Sequence, residues 1–502
     1  MEESASRGAP PWTGVALVLG ASALVGPFLE SQSELLEIVP TATAWEVQVG
    51  AIAIALSFAA AVFRFPAVGL SALALFVVLN LSQVLVRHHG FPSLLQCLAF
   101  PMALAASVER FHGRRESPIP GGFSLWLIGY VLLVLATSAV AKDRVLADER
   151  GIEAVKGLCI YFLVLGLASS MGRLRVALSS ILLAGAAMGV LGIYQALSGN
   201  YGADFGGLAR VKHAQIYGDV FEPRIAGPFG DPNFFAQVLV LLVPLALYSA
   251  WGERTPRARA CFYAVALALA AASILTYSRG GALALAVALL LTLLDRGIRP
   301  RTVFAACGLA ACALLLVPGE FTRRLETIRE LLPGGEEATK PDSSFAERKL
   351  YAASAFEMFL DHPVAGVGAG NYTVHYETYA TRVGSAARSY EEPTARHYPH
   401  SLGLEIASES GLLGLALFAC AMLSAFVSLE RSRERSRARH DVRGFELARG
   451  LQIALAGYFV AALFLHGDFQ RPFWFVLGLV AALSGSSREG REPVPATDKR
   501  GR

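Results

Sequence analysis

The 502-residue chain is short of charge: 17% of its residues are charged and 54% are hydrophobic. That balance excludes both an ordinary soluble globular protein and a disordered one. Cysteine is scarce as well. All six residues (Cys97, Cys159, Cys261, Cys307, Cys312 and Cys420) fall inside apolar runs, so no disulfide framework is expected. The N-terminus lacks the basic segment of a cleaved signal peptide, because Glu2, Glu3 and Arg7 precede the apolar run 15–28. An uncleaved first helix is the expectation. The net charge is only +4, and Lys and Arg sit in short connections between apolar runs, where they report topology rather than a nucleic-acid partner. No internal repeat is evident, which counts against a transporter built from inverted halves.

What is present is a succession of apolar segments long enough, or nearly so, to cross about 30 Å of hydrocarbon. They fall near 13–29, 47–63, 67–86, 91–107, 123–141, 154–171, 176–197, 233–251, 260–277, 281–294, 302–318, 403–428, 450–466 and 472–484. This predicts an all-α polytopic membrane protein of about 12 to 14 spans. The 91–107 run contains Pro92 and Pro101 and the 281–294 run is short, so either can be tilted, broken or partly re-entrant.

Assigning the connections alternately to two sides gives one set with about 25 basic residues in about 90 positions and another with about 19 in about 160, which makes the first cytoplasmic. It includes Arg254, Arg257 and Arg259, the run Arg431, Arg433, Arg435, Arg437 and Arg439, and the C-terminal tail. Both termini are then on the cytoplasmic side of an inner membrane. The other set holds the stretch 30–46, without Lys or Arg, and the two longest connections, 198–232 and 319–402. A connection of about 84 residues exceeds an ordinary linker and reads as a functional element covering a site. Within it, 345–360 has the spacing of an amphipathic helix, and the turn carrying Gly366, Gly368 and Gly370 follows. Three parts are expected: N-terminal helices over 1–197, a core over 198–430 that includes the loop 319–402, and a C-terminal part over 431–502.

Three basic positions lie at the outer mouths of helices. Arg224 stands in a bent segment with Gly227, Pro228, Gly230, Asp231, Pro232 and Asn233, where the free amides of the following helix would add positive character suited to an anionic oxygen. Arg279 occupies a tight turn with Ser278 and Gly280, where a charge at membrane level needs a partner. For both, the plain alternative is an anchoring or ion-paired arginine that meets lipid phosphate. His400 closes the long loop beside His397 and Tyr398, just before a helix with Glu405 and Glu409. Histidine exchanges a proton near neutral pH, and an i, i+4 glutamate pair can orient it. A His-x-x-His metal reading lacks a third ligand at recognisable spacing, so no metal or cofactor is expected. Asn233, Asp231, Ser278, Tyr398, Glu405 and Glu409 are the candidate substrate-binding residues.

Taken in order, the segments 224–233, 278–280, 361–372 and His400-Ser401 followed by 409–414 resemble the O-antigen ligase and O-antigen polymerase superfamily of bacterial membrane glycan transferases. The resemblance covers about 200–430. It implies transfer of a glycan from undecaprenyl diphosphate to an acceptor hydroxyl, of lipid A-core or of another glycan, at the periplasmic face, without metal or nucleotide sugar. Arg224 and Arg279 would bind the diphosphate and stabilise its developing charge. His400 would orient or deprotonate the acceptor, in a displacement that inverts the anomeric centre; such help is typically about 10²–10⁴-fold. Two features depart from the family: Ser401 stands where asparagine is frequent, and members commonly have about twelve helices. Ligase and polymerase differ in acceptor, which sequence leaves open. A lipid-linked glycan flippase or transporter fits the helix number, and an assembly subunit would tolerate loss of the three residues.

Overall fold

The computed structural model describes residues 57–89, 94–111, 121–217, 220–297, 343–383, 397–467 and 470–486. The expected spans 13–29 and 302–318, most of 47–63, the stretch 30–46 and the C-terminal tail lie outside the described residues.

The first half contributes α1 (Ser57–Arg64) and α2 (Pro66–Val78), bent by 119° against each other. It continues with α3 (Leu81–His89), α4 (Leu94–Phe111), α5 (Gly121–Ala136), α6 (Arg144–Leu167) and α7 (Met171–Ser198). After the hairpin β1 (Arg210–Tyr217) and β2 (Val220–Gly227) come α8 (Pro232–Gly252), α9 (Pro256–Leu275) and α10 (Arg279–Arg296). The last group is α11 (Ser343–Asp361), α12 (Tyr372–Val383), α13 (Leu402–Ala438), α14 (Val442–Ala462) and α15 (Arg471–Ser486).

The chain is an all-α polytopic membrane protein apart from the hairpin. Among the described residues, four helices (α7, α8, α9 and α13) are long and apolar enough to cross a membrane, or five if the bent pair α1 and α2 is one span. That is fewer than the apolar runs promised, for readable reasons. The run 67–86 is split between α2 and α3, and the apolar helices at 98–108, 123–139 and 471–486 are short. The run 154–171 belongs to α6, which starts ten residues earlier in the charged stretch 144–156.

α8 is the central element. In its most apolar window 78% of the residues are buried, against 33% for α13, as expected of a helix apolar on all faces and enclosed by others. It packs between α9 and α14. With 21 residues it spans roughly 31 Å at 1.5 Å per residue, so its ends define two faces. At the C-terminal end acidic side chains meet the basic connections: Glu253 pairs with Arg175 and with Arg443, Asp295 with Arg449, and Glu446 with Arg296.

At the opposite end, β1 and β2 pair antiparallel with Lys212 opposite Arg224. Pro223, Gly227 and Pro228 disguise this segment as a loop in sequence. Burial of Ile225 and Ala226 against α7 and α8 holds it, since an isolated hairpin is marginal in water. The amphipathic helix expected over 345–360 is α11. With α12 it encloses a separate small core of Tyr351, Met358, Val367, Tyr372, Tyr376 and Tyr379.

The two parts join where α13 breaks. Gly411 has φ 64° and ψ −163° inside the helix, which frees carbonyl oxygens just before it. Ser408 O then accepts from Val367 N at 2.9 Å, and Glu409 O from Gly368 N at 3.0 Å, while Leu412 N donates to Pro363 O at 2.7 Å. The glycine turn is thereby stitched into a helix break, which satisfies backbone groups that a break in an apolar setting would otherwise strand.

Candidate functional site

Arg224 is 8% exposed at the end of the hairpin. Its Nε donates to the Thr276 carbonyl oxygen, the C-cap of α9, at 2.9 Å, and its guanidinium reaches Asn233 Oδ1 at 3.4 Å. Asn233 Oδ1 also accepts from Ser278 Oγ at 2.8 Å. Ser278 is the N-cap of α10 and accepts from Gly281 N at 3.2 Å, and Arg279 is the first residue of that helix. Asp231 caps α8 in the same way, accepting from Asn233 N at 2.8 Å and Phe234 N at 3.4 Å. Two helix N-termini and two arginines therefore share one locus, an arrangement suited to an anion.

One carboxylate lies among these cations. Burial pushes the Asp231 carboxyl up, but the Lys212 ammonium at 3.0 Å, the Asn233 amide and the Arg224 charge outweigh it and hold it below the usual range. Asp231 thus caps α8 and pairs with Lys212.

His400 adopts φ 48°, a left-handed conformation sparsely populated by residues other than glycine and one that recurs at functional sites. Its ring lies 5.7 Å from that of Tyr351 on α11 and 5.4 Å, edge to face, from that of His466. His466 stacks on Tyr398 at 4.3 Å and meets the edge of Phe234 at 5.1 Å. Because Phe234 follows Asn233 directly, this chain of rings connects the arginine locus to His400. The Nδ1 atoms of both histidines are buried without a hydrogen-bond partner among the described residues. Burial lowers His400 to about 3, with help from His466, Arg348 and Lys212 and against Asp231. Burial likewise lowers His466 to about 3. Both imidazoles are therefore neutral at neutral pH, and burial resists their protonation.

Arg224, Asn233, Asp231, Ser278 and Arg279 lie together at the start of α8 and α10, and Tyr398 and His400 reach them through the rings of His466 and Phe234. Glu405 and Glu409 do not join them. Glu405, itself buried, forms an ion pair with the half-buried Arg150 of α6 and accepts from Gly467 N at 2.8 Å. Glu409 accepts from Gly370 N at 2.8 Å and Tyr372 N at 3.4 Å. These carboxylates fix the loop that carries His466 and the glycine turn. The i, i+4 spacing placed them on one face, but that face looks into the protein.

Two site residues escaped the sequence reading. His466 comes from the connection between α14 and α15, in the part expected to stand apart from the core. Arg348 comes from α11 and lines, with Asn233, Ser278 and Gly281, a small recess of about 10 Å³. Only the tyrosine three residues on hinted at Arg348: positions 348 and 351 share a helix face, and Tyr351 is buried against the histidines.

No curated protein matches the chain. Residues 262–419 match the family model described as O-antigen ligase, a stretch that begins in α9 and ends within α13, and so takes in Ser278, Arg279, Arg348 and His400. The chain thus combines a membrane-spanning helical fold with a segment, residues 262–419, that is similar to the O-antigen ligase domain.

Proposed function

We propose that the chain moves a glycan from undecaprenyl diphosphate to an acceptor hydroxyl at the periplasmic face, and that lipid A-core is the acceptor. The observation that carries this reading is the pairing of the Arg224–Asn233–Ser278 network, at two helix N-termini, with the neutral buried imidazole of His400, reached through the rings of Phe234 and His466. A diphosphate leaving group needs fixed positive charge, and an attacking hydroxyl needs a proton acceptor.

In the proposed step the acceptor oxygen attacks the anomeric carbon from the side opposite the diphosphate. The bond from that carbon to the diphosphate oxygen breaks, and its electron pair goes to the leaving group, facing Arg224 and Arg279. His400 takes the hydroxyl proton. Burial, above all, holds His400 low and its ring neutral, so it meets the hydroxyl as a hydrogen-bond acceptor before it takes the proton. A single displacement of this kind inverts the anomeric configuration.

The test is surface glycan in cells carrying His400→Ala, with Arg279→Ala as companion and membrane levels of the protein measured alongside. Lost product at normal protein level, with accumulated lipid-linked glycan, supports the transferase. Long unattached chains indicate a ligase and single units indicate a polymerase of the same superfamily. Unchanged product removes His400 from the reaction.

A further inference from the structure

A histidine that handles protons is commonly oriented through a hydrogen bond from its Nδ1 to a carboxylate or a carbonyl oxygen. Among the described residues, His400 Nδ1 is buried without any such partner. The two glutamates that follow it on α13 are turned elsewhere, Glu409 to the glycine turn and Glu405 to Arg150 and Gly467. Its backbone, at φ 48°, is one that residues other than glycine keep only under constraint from their surroundings. What orients the imidazole is contact between rings. His466 meets His400 with centroids 5.4 Å apart and planes at 76°, an edge-to-face geometry that fixes one ring plane against another.

His466 is itself firmly held. It is 8% exposed, stacks on Tyr398 at 4.3 Å with planes 5° apart, and meets Phe234 edge to face at 5.1 Å. Its own Nδ1 has no hydrogen-bond partner among the described residues, so what it offers His400 is a ring. The next residue anchors its backbone. Gly467 N donates to Glu405 Oε2 at 2.8 Å, and Gly467 O accepts from Tyr458 Oη at 3.3 Å. Glu405 in turn is paired with Arg150 of α6. Glu405 is close to His400 in sequence, yet the physical route between them runs through the connection from α14 to α15.

We propose that His466 is a positioning residue for the transfer step: anchored by the Glu405–Gly467 bond, its ring holds the His400 imidazole in the plane in which it meets the acceptor hydroxyl. This rests on the transferase reading above and adds a residue that touches neither donor nor acceptor. His466 takes no proton in this role. Glu405 acts at one remove, by holding the loop whose ring holds the base.

The test uses the full chain in lipid nanodiscs, with kcat and KM measured for glycan transfer from undecaprenyl diphosphate to lipid A-core. His466→Gln and His466→Leu both remove the ring, and each should lower kcat by about 10- to 100-fold, the scale of a catalytic group misplaced by about an ångström. KM for donor and acceptor should stay within about twofold, because a residue that acts only on the transition state leaves ground-state binding alone. His466→Phe restores the aromatic edge without the nitrogens and should recover most of the lost kcat. In a His400→Ala background, His466→Gln should lower the residual rate no further, since a residue that works through His400 then has nothing to orient. The leucine variant decides if the glutamine variant fails to fold. Unchanged kcat in both ringless variants, with His400→Ala impaired, overturns the assignment and leaves the transferase reading standing. A phenylalanine variant as poor as the other two overturns it as well, because the nitrogens would then matter, and so does a full further loss in the His400→Ala background. If His400→Ala transfers glycan at the wild-type rate, the base assignment falls and this inference falls with it.

Discussion

Arg224 Nε donates to the carbonyl oxygen of Thr276 at 2.9 Å, so the cation on a β-hairpin is fixed to the last turn of α9, two residues before the N-cap of α10. This bond links two motifs that are 52 residues apart in sequence. A buried charge-assisted hydrogen bond of this kind contributes roughly 1.5–3 kcal/mol, enough to hold a guanidinium in one place before any ligand arrives. Such preorganisation is what electrostatic catalysis requires.

Asn233 is the hub of that arrangement, since its Oδ1 accepts from both Ser278 and Arg224. Asn233→Asp keeps the acceptor and the shape but adds a negative charge where the leaving group must sit. Transfer of glycan should fall by about 10²-fold or more, while the thermal midpoint of the purified protein changes little. A variant that retains activity would place the diphosphate elsewhere.

Glu405 tests positioning. Its carboxylate balances Arg150 and holds the Gly467 amide, so Glu405→Ala removes a carboxylate from the half-buried Arg150 and an acceptor from Gly467, at a cost of roughly 1–3 kcal/mol. Unfolding in detergent should occur at clearly lower temperature. Glu405→Gln, which can still accept from Gly467, should lose less. Equal midpoints for the alanine variant and wild type would contradict the ion pair.

Acid should destabilise the protein through two histidines. His400 and His466 are held at about 3 in the fold, while an unfolded chain protonates them near 6.5. Between those values the unfolded state binds protons that the folded state refuses, so stability is complete above about pH 6.5 and declines as pH falls toward about 3. The slope reaches about 1.4 kcal/mol per pH unit for each histidine. Thermal midpoints from pH 7.5 to pH 5 should therefore fall, and His400→Gln or His466→Gln should flatten the fall. An unaltered slope in both variants would assign the acid sensitivity to other groups.

The break in α13 is specified by one glycine. At Gly411, with φ 64°, an added Cβ would come within 2.3 Å of the Val364 carbonyl carbon and oxygen. The backbone strain of Gly411→Ala alone is about 1–3 kcal/mol, before the clash is counted. Gly403→Ala on the same helix meets nothing within 4 Å and should be neutral. Fluorescence-detected size-exclusion profiles should separate them: aggregation or loss for the former, a wild-type peak for the latter.

Much of the site was legible because its parts announce themselves locally. Ser278 and Asp231 precede helices in the pattern of N-caps, and Arg224, Arg279 and His400 stand beside turn-forming residues at the ends of apolar runs. The kink at Gly411 was not legible, since a single glycine in an apolar run is compatible with continuous helix. The β-hairpin was hidden by its two prolines and terminal glycine. Glu405 and Glu409 were misassigned because helical spacing tells which residues share a face but not what that face meets.

Sequence by itself determined that the protein is helical and membrane-embedded, because composition and run length decide whether a segment prefers hydrocarbon to water. It also determined which arginines and which histidine lie beside helix ends, because capping and turn preferences act over a few residues. Only the tertiary structure decided that Arg348 and His466 belong to the same site, that Glu405 is spent on Arg150, and that a hairpin brings Arg224 to Thr276. Those contacts join positions tens to hundreds of residues apart, and their existence depends on how whole helices pack, which no local pattern of side chains encodes.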